Sequence, residues 1–377
     1  MNGRKQLWVF FIVVAISLAM PTGVSAIGMP QDAQEVANAT GPNWSPRGPL
    51  PRNGHSAVLD TVKNKMIVFG GSTFSSDAPP SAHFNDVWYL NSANSITANE
   101  GWTVAKTAGT PPNARLGHSA VLDPINNRMI IFGGAEGFAA PCDNDVWVLE
   151  NANGVGGTPT WTPLSPSGTP PTVRFFQGAS YDQTNNIMTI FGGAGCFGGV
   201  FNDVWVLSNA NGLGGTPVWT QLSPTGTPPA ARYGFATVFV QGFNQMVIFG
   251  GNNGSMLFGD TWILERANGK TTPAWRFVAV DSSPPAREFP AAAYDAENNC
   301  LTIFGGFSTA PLNDIWILTG SSSWHHGTPS GTLPLGRYSH SAVYDPGTNR
   351  MIIFGGSITG AGSSTDTVSV LSHANGL

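Results

Sequence analysis

One stretch of this chain comes back six times. Met66-Ile67-Val68-Phe69-Gly70-Gly71 is followed, after a loop, by Asn85-Asp86-Val87-Trp88-Tyr89-Leu90. The pair recurs as Met129 to Gly134 with Asn144 to Leu149, Met188 to Gly193 with Asn202 to Leu207, and Met246 to Gly251 with Asp260 to Leu264. Leu301 to Gly306 with Asn313 to Leu318, and Met351 to Gly356 with a weaker Asp366 to Leu371, complete the set. Repetition at a fixed period means that each unit buries its apolar face against its neighbours, so the fold is an array.

Each copy reads as strands. A run of four or five apolar, often β-branched residues is too short for a helix, and it ends on two glycines that accept positive φ and so open a turn. Ahead of each run lies a small-residue strand of the form Arg-x-Gly-His-Ser-Ala-Val-Leu-Asp, at Arg52 to Asp60 and Arg115 to Asp123, recognisable also from Arg174, Arg232, Arg287 and Arg337. Small residues suit the crowded innermost strand of a radial sheet. Behind each run comes a strand led by Trp102, Trp161, Trp219, Trp275 or Trp324. Four short antiparallel strands per copy make one blade of an all-β, six-bladed propeller.

The tryptophans Trp88, Trp147, Trp205, Trp262 and Trp316 stand 54 to 59 residues apart, nearer the kelch period than the shorter WD period. The Arg-x-x-His-Ser-Ala strand, the Phe-Gly-Gly doublet, the Asn-Asp-Val-Trp strand and the trailing Trp resemble kelch repeats, more narrowly those of attractin-like and muskelin-like propellers, and the likeness runs from Trp44 to Leu371. The resemblance implies the fold. It leaves function open, because such propellers serve as binding modules and as enzymes.

Residues 1–26 have the parts of a secretory signal: Arg4 and Lys5, the apolar run Leu7 to Met20, and Val24-Ser25-Ala26 before the cleavage point. Residues 27–43 read as a linker and 44–377 as the propeller. The expected location is secreted, periplasmic or cell-surface, with no membrane span after signal removal. The sixth copy stops before its Trp-led strand, whereas the segment around Trp44 matches that strand, so it is expected to close the ring.

The formal charge is −5, and without Arg4 and Lys5 the chain holds 15 basic against 22 acidic residues, or −7. A mildly acidic surface does not attract nucleic acid. Of three cysteines, Cys142 and Cys196 occupy corresponding loops of adjacent copies and are candidates for a disulfide. Cys300 opens a strand where other copies use Lys65 or Arg128. No Cys-x-x-Cys pattern marks a zinc site, and neither a metal nor a cofactor is expected.

The candidate ligand face is the one carrying the arginines and the loops after Gly-Gly. Arg52, Arg115, Arg174, Arg232, Arg287 and Arg337 either grip a carboxylate-bearing ligand or pair with Asp86, Asp145, Asp203, Asp260, Asp314 and Asp366 within their blades. His55, His118 and His340 share one inner-strand position, as structural residues, as contacts near the mouth, or as three imidazoles able to bind a metal, the structural role being the expected one. Glu136, Phe138 and Glu288 are further candidate contacts, and of the loop phenylalanines half are expected to be buried.

Three functions are in play. The first is an exported, monomeric binding module for a protein or glycan, acidic ligands included. The second is an enzyme. A galactose-oxidase-like copper site would draw on Tyr338, His340 and His55, and a sialic-acid mutarotase-like site on Glu288 or Glu136 beside Arg287. The third is a structural domain of a larger surface protein. No residue is assigned a catalytic role.

Overall fold

A computed structural model describes residues 48–73, 82–95, 101–137, 141–320, 323–359 and 363–376. The signal and linker segments, Trp44, Phe74 and Phe138 lie outside the described residues. Among those described, no helix is long and apolar enough to cross a membrane.

In the first blade β1 (Ser56–Asp60), β2 (Lys65–Phe69), β3 (Val87–Asn91) and β4 (Trp102–Val104) form one antiparallel sheet in that order. Four more blades repeat the order, and the sixth contributes three strands, ending on Val368–Ser372. The second strand of each blade lies between two neighbouring sheets, which explains why Met66, Ile67, Val68 and Phe69 are all fully buried. The turn from β1 to β2 is built by Asp60, whose carboxylate accepts the N–H groups of Val62 and Lys63, and by Asn64 at φ 49°.

Two circles of backbone hydrogen bonds tie the blades together. In the inner circle Gly117 donates to Gly54, Phe176 to Gly117, Gly234 to Phe176, Phe289 to Gly234, Ser339 to Phe289, and Gly54 back to Ser339 at 2.9 Å. In the second, Gly71 donates to the Arg115 carbonyl, and the pattern runs on through Gly134, Gly193, Gly251 and Gly306 until Gly356 donates to Arg52 at 2.8 Å. Gly71 sits at φ 93°, where a Cβ would come within 2.7 Å of the His55 Cβ, so the second glycine of each doublet is a steric requirement.

The opposite face is laced as well. Asn153, Asn211, Asn268 and Asn375 each donate to the turn aspartate of the preceding blade, namely Asp60, Asp123, Asp182 and Asp295. Across the first–sixth seam Asn94 does the same to Asp345 at 2.6 Å. The trailing tryptophans lie on the Phe-Gly-Gly phenylalanine of the blade before: Trp161 on Phe69, Trp219 on Phe132, Trp275 on Phe191, Trp324 on Phe249 and Trp102 on Phe354, all 4.8–5.2 Å between centroids. Phe304 is the remaining member, and Trp44, expected to lead the missing outer strand of the sixth blade, lies outside the described residues. The seam is therefore closed by inner-strand hydrogen bonds and by Trp102, and the outer strand of the sixth blade is a separate matter.

The structure joins Cys142 to Cys196 with their Cα atoms 5.6 Å apart. That bond fastens the loop of the second blade to that of the third. Cys300 is buried and unbridged.

Candidate functional site: the mouth of the propeller

The arginine of each copy turns away from solvent. Arg52, Arg115, Arg174, Arg232 and Arg287 are 0–1% exposed, and each forks onto one aspartate. Nη1 and Nη2 of Arg174, for example, donate to the two carboxylate oxygens of Asp203 at 2.6 and 2.8 Å. The same Nη1 donates to the Gly192 carbonyl and Nε to the Thr172 carbonyl, so four of the five guanidinium N–H groups are engaged within the protein. The aspartate also accepts the indole N–H two residues on, as Trp205 donates to Asp203 at 2.7 Å. The preceding asparagine donates to the proline carbonyl of the crossover, as in Asn85 to Pro112 and Asn144 to Pro171. In blades one, two, three and five, Asn-Asp and Trp of the third strand, the arginine and the proline crossover leading to the next blade are thus one device.

Several loop phenylalanines belong to that device. The guanidinium carbons of Arg52, Arg174 and Arg232 stand 4.1–4.4 Å from the ring centroids of Phe84, Phe201 and Phe258. Phe84 and Phe258 are buried, whereas Phe197 is 90% exposed. With five of them paired to aspartates and the sixth, Arg337, buried at 3% exposure, the arginines do not form a cationic mouth.

The sixth blade departs from the scheme. Thr367, and not Asp366, occupies the acceptor position, and its hydroxyl takes the Arg337 hydrogen bond at 3.0 Å. Asp366 stands one residue earlier and is exposed. Burial without a carboxylate partner lowers the Arg337 pKa. Thr367→Asp is expected to stabilise the protein by about 1 to 3 kcal/mol, since it supplies charge-assisted hydrogen bonds to an already buried cation. A urea midpoint unchanged from wild type would show that Arg337 gains nothing from a carboxylate.

Two of the three histidines are structural links between inner strands. His55 Nε2 lies 2.8 Å from Ser341 Oγ, and His118 Nε2 lies 2.8 Å from Ser56 Oγ. Gln177 takes the same role in the third blade, donating to Ser119 Oγ and to the Phe132 carbonyl. Ala291 stands where the serine would face His340, whose ring nitrogens have no partner among the described residues. Burial, aided by the neighbouring arginines, depresses all three, His118 and His340 to about 3. No group of three metal-binding side chains is found among the described residues.

Glu136 accepts a hydrogen bond from Asn113 at the rim of the second blade. Next to it Asp143 is pushed up to about 6, chiefly by burial and despite Arg115. Glu288 lies at the mouth itself, half-buried, and accepts from Asn252 at 3.0 Å. Burial raises its pKa. Arg287 beside it is committed to Asp314 at 2.6 Å, so the carboxylate–arginine couple that a mutarotase-like site requires is not assembled from these two residues.

What departs from the repeat converges on the mouth. The residue after each arginine is Asn53, Leu116, Phe175, Tyr233, Glu288 or Tyr338. The next is glycine in three blades and Phe176, Phe289 or Ser339 in the others. Phe176 and Phe289 hold φ of 54° and 52°, a conformation rare for bulky side chains. Their ring centroids are 4.6 Å apart, and Tyr233, Tyr338 and Phe175 stand around them, with Phe307 5.1 Å from Tyr338. Beneath lies a channel cavity of about 140 Å³ walled by His55, His118, Gln177, Phe235, Pro290 and His340. The aromatic mouth was visible in the sequence as the variable pair following each arginine, a signal hidden by the invariance of the arginine itself.

Comparison with known proteins agrees with the geometry. The chain matches the KLHDC2/KLHL20/DRC7 kelch-repeats domain over residues 34–154 and 95–271, and the attractin/LZTR1 β-propeller over residues 214–373. Adagio-like protein 1 of Oryza sativa subsp. japonica is 30% identical over 288 residues, 70% of this chain and 42% of the relative. Host cell factor 2 of Homo sapiens is 30% identical over 284 residues, 70% of this chain and 33% of the relative. The chain thus spans less than half the length of either. The solved structure of YjhT superimposes with a TM-score of 0.62 at 16% identity, covering 86% of this chain and 98% of that one, a likeness of fold. With six Arg-x-x-x-Ser/Gly/Ala inner strands, Phe-Gly-Gly doublets and a closed ring, the chain belongs to the kelch-repeat β-propellers.

Proposed function

We propose that this propeller is a binding module whose protein ligand seats on the arginine-side face, centred on the mouth. The observation that carries it is the concentration of non-repeated aromatic residues there, Phe175, Phe176, Tyr233, Phe289 and Tyr338, whereas the Phe-Gly-Gly phenylalanines and the tryptophans of the third and outer strands recur from blade to blade. Two of them are held at positive φ, where glycine would be easier; strain of that kind collects at functional sites. Aromatic anchors around a recess are the usual centre of protein recognition. The rim adds the exposed side chains Leu50, Phe197, Met256, Leu333 and Leu335, although exposed apolar residues also occur on the far face.

A peptide and glycan array probed with the purified protein tests the reading. Peptide hits are expected, abolished in a Tyr233→Ser/Tyr338→Ser double variant and retained in Phe243→Ser, which alters a 67% exposed residue of the opposite face. Hits confined to glycans would move the ligand class to carbohydrate, and hits indifferent to the mouth variant would reject the face.

The same reading includes export. It is supported by the tripartite pattern of residues 1–26 and by a Cys142–Cys196 bridge suited to an oxidising compartment. Expression with the leader followed by N-terminal sequencing is expected to find a start near Ile27, and a retained Met1 would contradict it.

A further inference from the structure

We propose that the mouth receives a cationic side chain, lysine or arginine, from the protein partner, with Glu288 as the counter-charge and Tyr233, Phe289 and Tyr338 as aromatic walls. This inference rests on the face assignment above and adds the chemistry of the ligand.

The charge of the mouth has the opposite sign from that suggested by a ring of arginines. Five guanidinia are neutralised by their own aspartates, and Arg337 is 3% exposed. Glu288 alone among the six residues that follow the arginines is charged. No arginine, lysine or histidine among the described residues lies within ion-pair distance of it, and the hydrogen bond that its carboxylate accepts from Asn252 comes from a neutral amide. Glu136, Asp143 and Asp366 place further carboxylates on the loops of this face. A carboxylate-bearing ligand would meet repulsion from Glu288 here, and the arginines of this face among the described residues are buried.

The rings supply the rest. The Phe289 centroid is 6.1 Å from that of Tyr233 and 6.4 Å from that of Tyr338, and Phe289 rests on Phe176. The Tyr233 main chain pairs with that of Asn252, whose side-chain amide donates to the Glu288 carboxylate at 3.0 Å, and burial together with the Glu288 charge raises the pKa values of both tyrosines. The Phe289 ring occupies the space over Gly234, where a Cβ would come within 2.6 Å of it. The main chain at Phe289 is pinned on both sides, donating to Gly234 and accepting from Ser339. An ammonium or guanidinium group satisfies such a recess on two counts: its charge is attracted by aromatic faces as well as by the carboxylate, and its alkyl stem fits against the rings.

The test uses the peptides acetyl-Gly-Gly-X-Gly-Gly-amide, with X as lysine, arginine, norleucine or glutamate, titrated into the whole protein by NMR. The lysine or arginine peptide is expected to bind at least tenfold more tightly than the norleucine peptide, with the glutamate peptide weakest. Glu288→Gln is expected to remove that preference while leaving the norleucine peptide unaffected. Tyr338→Leu, which keeps bulk and removes the π face, is expected to weaken the cationic peptides several-fold. Equal affinity for lysine and norleucine, a preference for glutamate, undiminished cation preference in Glu288→Gln, or no binding by any peptide overturns the proposal. Norleucine or glutamate binding that is still lost in Tyr338→Leu would overturn the cation while leaving the face in place, whereas binding that ignores both variants removes both.

Discussion

Asp203→Ala is expected to destabilise the protein by about 3 to 5 kcal/mol, because it leaves the Arg174 guanidinium buried without its counter-ion. The loss is large for three reasons. Arg174 is 0% exposed and cannot swing into water without breaking its Nε bond to the crossover at Thr172 and its Nη1 bond to the Gly192 carbonyl. The same carboxylate also accepts the Trp205 indole N–H, so a second polar hydrogen is stranded. The Asp203 pKa is lowered, its burial outweighed by the hydrogen bonds and charge of Arg174, so its ionised form belongs to the folded state. Asp203→Asn should cost less, since the amide keeps one acceptor and the shape. Urea unfolding at neutral pH gives both values, and a cost below about 1 kcal/mol for the alanine variant would mean that the pair is not what anchors the blade.

Acidification from pH 6.5 toward pH 3 is the second large effect expected. His118 and His340 titrate near 3 in the fold and near 6.5 when unfolded. Over that interval the unfolded chain therefore binds more protons, and stability falls as pH falls. The stability conferred by keeping these rings neutral is complete above the unfolded value and is lost progressively down to the folded one. At this depth of burial each histidine contributes about 3 kcal/mol or more across the range, and His55 acts in the same direction. Urea midpoints at pH 7, 5.5 and 4 should fall steeply. His118→Gln should flatten the fall, because Gln177 already shows that an amide can bridge to the neighbouring serine from this position. A protein as stable at pH 4 as at pH 7 would show that these rings take up protons in the fold at little cost.

Much of the architecture was legible because the chain states it six times. Strand order, blade count and the Gly-Gly turns follow from residues whose roles are steric, and the arginine–aspartate pairing was legible as an alternative. Its sixth instance was misplaced by one residue: Asp366 looks like the partner of Arg337, but the register of Val368 with Phe354 puts Thr367 there. The loop phenylalanines were harder to place, since only three-dimensional contact shows that Phe84, Phe201 and Phe258 cover guanidinia. The aromatic mouth was missed for a related reason. Phe176 and Phe289 occupy positions where the repeat asks for glycine, so they read as noise until the inner hydrogen-bond circle shows what they surround.

The central claim is that repeated residues build the ring and that the exceptions at its mouth are retained for a ligand. The melting temperature of Glu288→Gln at pH 7 tests it most directly. Burial raises the pKa of this carboxyl, so holding it ionised at neutral pH works against folding, and removing the charge should leave the melting temperature unchanged or higher. A drop as large as that of Asp203→Asn would contradict the claim and place Glu288 among the residues that hold the propeller together.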